Sequence, residues 1–91
     1  MTDRQMAVVY VVGRILNNRA EGWVDHRPVR RQVEEILSSS RTPVHIMAEV
    51  DRIEEHSARA WRRFMNEILG RLAEYGIVDR KVSEGGSNDD R

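Results

Sequence analysis

The residues best suited to chemistry lie within one short run, "SARAWRRFMNEILGRLAEYGIVDRKVSEGG", residues 57–86. Arginine can donate two parallel hydrogen bonds to guanine O6 and N7, and asparagine can bond adenine N6 and N7 in the same bidentate way. Arg59, Arg62, Arg63 and Asn66 supply those groups within eight residues. Ser57, ahead of them, is a helix-capping type, and the amides that follow a cap offer free donors and a positive dipole end to a phosphate. Arg80 and Lys81 add two cations a short distance downstream. The chemistry of this set is recognition of a polyanion with base readout, and its exposed donors point to double-stranded DNA.

Other chemistries are poorly served. Glu34–Glu35 and Glu54–Glu55 are adjacent pairs, which point in different directions on a helix and make poor acid/base partners. Ser38, Ser39 and Ser40 have no nucleophile motif around them, and there is no cysteine. His45 and Glu49 fall at i, i+4, but His26 and His56 complete no His-Glu-x-x-His arrangement, so neither a metal site nor an enzyme is expected. No Gly-x-x-x-x-Gly-Lys-Ser/Thr loop is present to cradle a nucleotide. No cofactor is expected.

Whether the arginines form one surface depends on helical phase. Trp61, Phe64, Met65, Ile68, Leu72 and Tyr75 recur at steps of three and four, which gathers them on one side at about 100° per residue. Arg59, Arg63, Asn66 and Gly70 then gather opposite, with Arg62 at the margin. Trp61 and Phe64 could stack single-stranded bases, yet their place on the apolar stripe points to burial. Gly76 stands where a left-handed C′ residue is wanted, so the helix is predicted over residues 58–75.

Charge is segregated. Residues 57–71 hold four arginines against one glutamate, whereas residues 45–56 hold one arginine against four carboxylates. This supports a basic reading helix behind an acidic one; the alternative is mutual attraction of the two helices, or two solvated faces. Over the whole chain 15 basic and 15 acidic residues cancel, so bulk charge favours neither nucleic acid nor membrane. Fourteen of the basic residues are arginine, which by itself says little.

The 91 residues bound the answer to one small domain with a single core. "TDRQ" matches a capping box, with Thr2 and Gln5 in reciprocal positions, and predicts a helix from Asp3 to about Asn18. Its valine-rich interior "AVVYVVGRIL" also fits a strand; length and the cap decide for a helix buried on more than one face. That surplus of apolar surface reads first as core, and alternatively as a contact with a second copy or with a larger protein. The apolar run is far below the roughly 20 residues that cross a bilayer and follows Asp3 rather than a basic region, so neither a membrane span nor a signal peptide is expected. The lack of cysteine suits the cytoplasm.

"WVD", residues 23–25, reads as a short strand, and Asp25 as the N-cap of a helix over residues 26–38 with Pro28 in its first turn. Val29, Val33, Ile36 and Leu37 form its buried stripe. Thr42 followed by Pro43 signals the next helix, with Ile46, Met47, Val50 and Ile53 inward. After Gly76, "IVDRKVS" alternates like a strand and "EGG" reads as a turn. The expected fold is therefore mainly α with a small β-hairpin or single strand: a winged helix, the helix-turn-helix variant whose reading helix precedes a hairpin. Residues 1–83 would be that domain, and residues 84–91 a wing tip or flexible polar tail.

The last third of the chain resembles the C-terminal winged-helix domain of archaeal origin-recognition initiators. There, too, an aromatic residue, two arginines and phenylalanine open a leucine-rich helix that ends at Gly-Ile before a charged strand and a glycine-rich wing. "VDHRPVRRQVEEIL" and "AVVYVVGRIL" are loosely similar to the family's preceding helices. The resemblance implies double-stranded DNA binding in replication-origin recognition or transcription regulation, with Arg62, Arg63 and Asn66 on the reading helix and Arg80, Lys81, Gly85 and Gly86 on the wing. Two departures stand out: "TPVHIMAEVDRIEEH" is longer and more acidic than the family's connection, and the wing's return strand is either missing or cut away. The alternative is a winged-helix or helical-bundle module for protein interaction or dimerisation.

Overall fold

The capping box forms as its spacing requires. Gln5 N donates to Thr2 Oγ1 at 3.1 Å, and Thr2 N donates to Gln5 Oε1 at 2.8 Å, so two amides that a helix start leaves unpaired find acceptors. In the computed structural model, which describes residues 1–23 and 25–78, this cap opens α1, Asp3–Ala20. Three helices follow: α2 (Val29–Ser38), α3 (Val44–His56) and α4 (Ala58–Glu74). Among the described residues there is no strand. Trp23 and Asp25 are not in a strand, and the expected strand and turn beyond residue 78, with Arg80, Lys81, Gly85 and Gly86, lie outside the described residues.

α1 takes its helical form despite β-branched valines because each can be buried. Ala7, Val8, Val11, Val12 and Ile15 line one side and pack on both α3 and α4. Packing of such a face outweighs the weak propensity penalty of valine. The helix runs two residues past the expected Asn18 and ends at Gly22, which adopts φ 87°. Trp23 N donates to Asn18 O and Gly22 N to Arg19 O, each at 3.0 Å, so the last carbonyls are closed by a left-handed glycine turn.

Both proline-led starts fall later than expected, for one reason. Pro28 and Pro43 are themselves the N-caps, in extended conformations of φ −54°, ψ 143° and φ −56°, ψ 143°, and their carbonyls accept the first helical bonds. A residue preceding proline is steered away from helical geometry, which keeps Arg27 and Thr42 outside the helices. Asp25 is thus not a cap. Its carboxylate accepts from Arg27 N at 3.0 Å and pairs with the Arg27 guanidinium, which also reaches Glu35 at 2.6 Å. Thr42 is not a cap either: it is buried, and its hydroxyl donates to Ile36 O at the end of α2.

The core joins Val33, Ile36 and Leu37 of α2 and Ile46, Val50 and Ile53 of α3 to α1 and to Phe64, Met65, Ile68, Leu69 and Leu72 of α4. Burying each such side chain contributes about 1.5–3 kcal/mol. Four residues expected inside sit differently: Val29, Met47 and Trp61 are half-buried and Tyr75 is 61% exposed, each in or beside a terminal turn of its helix, where fewer neighbours cover a side chain. Trp61 still stacks obliquely on Phe64, with centroids 5.7 Å apart.

Candidate nucleic-acid interface

Ser57 is the corner from which α4 is aimed. It is the single residue between α3 and α4, extended at φ −176°, ψ 151°. Its amide closes α3 on Ile53 O at 3.4 Å, while its Oγ accepts from Ala60 N at 2.9 Å and its carbonyl accepts from Trp61 N at 3.1 Å. The expected cap therefore exists, and its hydroxyl is engaged within the helix. The amides of Ala58 and Arg59 have no acceptor among the described residues, so the positive end of α4 still presents donors to an anion.

At the other end, Gly76 at φ 73° stops the helix where expected. Ile77 N donates to Leu72 O at 2.9 Å and Gly76 N to Ala73 O at 3.0 Å, and Ile77 and Val78 fold back against the core. α4 thus spans 17 residues, about 25 Å at 1.5 Å per residue. It buries one flank along that length.

The opposite flank carries Arg59, Arg62, Arg63, Asn66 and Gly70, all exposed. No carboxylate pairs with Arg59, Arg62 or Arg63 among the described residues. Glu67, the acid on this helix nearest to them, faces Arg4 of α1 instead, with Arg4 Nε 3.3 Å from Glu67 Oε1. Arg71 is drawn toward Glu74 at 3.4 Å and stands apart from the free forks. Gly70 has open space where a Cβ would project, so a ligand's backbone could approach there.

Among the described residues no ion pair joins α3 to α4. Glu49, 7% exposed, pairs with Arg52 of its own helix, and Arg52 O accepts from or approaches His56 Nδ1 at 2.8 Å. Glu49 also holds the Arg52 guanidinium firmly in its charged form, mainly through their hydrogen bond. Among the described residues no three His, Cys, Asp or Glu side chains converge as metal ligands would. No described helix is long and apolar enough to cross a membrane.

Two features were not anticipated from sequence. Arg4 reaches across to neutralise Glu67, a contact between residues 63 positions apart that no local spacing announces. Tyr10 and Arg14 form a cluster in which Arg14 Nη1 donates to Tyr10 Oη at 2.8 Å and Tyr10 Oη donates to Arg41 O at 3.2 Å, tying α1 to the α2–α3 turn. Their i, i+4 spacing was the available signal. Arg80 and Lys81, the two expected wing cations, lie outside the described residues. Compared with protein-family models, with curated proteins and with solved structures, the chain finds no match.

Proposed function

We propose that this chain is a non-catalytic binder of double-stranded DNA that lays the outer flank of α4 in the major groove. The observation that carries this reading is the set of three exposed guanidinium forks, Arg59, Arg62 and Arg63, without carboxylate partners among the described residues, while Glu67 of the same helix is taken up by Arg4. An exposed helix with free forks matches the groove's width and its donor and acceptor pattern. Arg63 and Asn66 are assigned to base edges, Arg59 and Arg62 to phosphates, and the first amides of α4 to a further phosphate that sets the register. The four helices are compatible with the helical part of a winged helix, whose hairpin would be supplied by the residues after Val78, including Arg80 and Lys81. The resemblance of this segment implies a role in replication-origin recognition or transcription regulation, and the lack of cysteine suits a cytoplasmic one.

Titration of duplex DNA into isotope-labelled protein, read by amide chemical shifts, tests the reading. The expected perturbations cluster at residues 57–70. Shifts centred on α1 or α2, or none at all, would overturn it. A protein-interaction role is favoured by one observation, the exposed Met6 and Val9, and these lie on a different helix.

A further inference from the structure

α1 carries two apolar stripes, of which the fold uses one. The buried side chains Ala7, Val8, Val11, Val12 and Ile15 face the core. A second series, Met6, Val9, Gly13 and Leu16, advances by three, four and three residues along the other side, the spacing of a coiled-coil seam. Val9 is 57% exposed, Met6 is 40% exposed, Gly13 is exposed and Leu16 is half-buried. Val9, Gly13 and Leu16, together with the edges of Val8 and Val12 and with Arg71 and Tyr75 of α4, line a groove of about 440 Å³.

Gly13 sharpens the question of what lies there. A glycine inside a helix costs about 1 kcal/mol relative to alanine, and it is kept where backbone or a side chain must come close. Among the described residues nothing comes close: a Cβ built on Gly13 meets no atom within 4 Å. Its helix needs no left-handed geometry there, since the positive-φ glycines are Gly22 and Gly76. The missing side chain therefore has no internal occupant among the described residues.

We infer that the occupant is a second copy of the chain, its α1 crossing this one antiparallel with Val9 seated over the partner's Gly13. The seam is self-complementary in that direction. Reversal about Val11 sets Met6 against Leu16 and Val9 against Gly13, a bulky group meeting a small one in each central layer, as a two-fold interface requires. Charge agrees: antiparallel pairing brings the Asp3 end of one helix to the Arg19 end of the other and opposes their dipoles, whereas parallel pairing would bring like ends together. The chain's own remaining segment is a poor occupant, because residues 79–91, "DRKVSEGGSNDDR", contain one large aliphatic residue, Val82, and the seam needs several.

Sedimentation equilibrium on the full chain without DNA tests this, independently of any role of α4. A mass twice the 10.6 kDa of one chain is expected as concentration rises toward about 1 mM, a dissociation constant at which weak specific contacts still register. Val9→Glu and Gly13→Leu should each weaken association by about tenfold or more. Val9 is exposed and the space above Gly13 is open, so Val9→Glu should keep the wild-type helical signal and melting midpoint, and Gly13→Leu should keep the helical signal and raise the midpoint. The chain has no cysteine, so oxidising an equal mixture of Val9→Cys and Gly13→Cys variants should yield mixed disulfides well in excess of either homodimer. A chain that stays monomeric, a dimer indifferent to both substitutions, or a preference for the homodimeric disulfides overturns the proposal.

Discussion

Replacing Arg63 with alanine removes the central fork of the proposed DNA-reading flank and little else. Arg63 is exposed and makes no hydrogen bond or ion pair among the described residues, so the fold should lose no more than about 0.5 kcal/mol. If its guanidinium bonds a guanine edge, the cognate duplex loses about 1–3 kcal/mol, roughly a 5- to 150-fold weaker complex. Arg62, at the margin of the same flank, should behave differently. Two phosphate-directed forks, Arg59 and Arg62, would give a salt slope near −1.8 on a log–log plot, and losing one brings it near −0.9. Between about 50 and 200 mM salt, Arg62→Ala should therefore lose about threefold less affinity than the wild type does. The assay is fluorescence anisotropy with a duplex selected from a randomised pool, titrated at several salt concentrations, beside thermal denaturation of each variant. Affinity for the selected duplex within twofold of wild type would refute the base contact of Arg63. An affinity loss accompanied by a lowered melting midpoint would show that the residue supports the fold instead.

Three further outcomes follow from the packing and the loops. Phe64, fully buried, should cost about 3–5 kcal/mol on replacement by alanine, and half-buried Trp61 clearly less, as read from urea denaturation by circular dichroism; equal costs would place Trp61 in the core after all. Thr42→Val keeps the shape but removes the hydroxyl that Ile36 O accepts, so a loss of about 1–2 kcal/mol is expected by the same measurement, and an unchanged midpoint would dismiss that bond. The hydrogen bond and charge of Arg27 hold the Asp25 carboxyl down at about 2 and lower Glu35 as well, so their stabilisation is complete above the ordinary carboxylate range and is lost as pH falls toward 2. Carboxyl carbon NMR should show both midpoints returning toward ordinary values in Arg27→Gln, and an unmoved Asp25 midpoint would discard the pairing.

The parts legible in the sequence are those specified by nearby residues. Thr2 and Gln5 announce α1, Ser57 and Gly76 bracket α4, and the step pattern of Phe64, Ile68 and Leu72 states which side goes inward. The helix starts at Pro28 and Pro43 were misplaced because a capping side chain and a proline compete for the same boundary, and here the proline carbonyl took it. Tyr75 was misread because periodicity says which way a side chain points but not where the neighbouring helices end. The Arg4–Glu67 pair was illegible for the same reason, since only the packing of α1 beside α4 brings them together. For the candidate interface, residue types and helical phase were enough to place Arg59, Arg62, Arg63 and Asn66 on one open flank, whereas the freedom of their side chains depended on where Glu67 went.

The lone residue at the bend between α3 and α4 leaves α4 no slack. Its hydrogen bonds run to both helices, and the buried flank of α4 packs on α1, α2 and α3, so the direction of α4 is held by the core. A rod clamped in this way has to be met as it stands: any polymer lying along it must supply the bending itself. Sequences that deform easily would then be favoured even at positions no side chain touches. Lengthening that joint by two or three glycines should loosen such a preference while leaving the guanidinium groups in place.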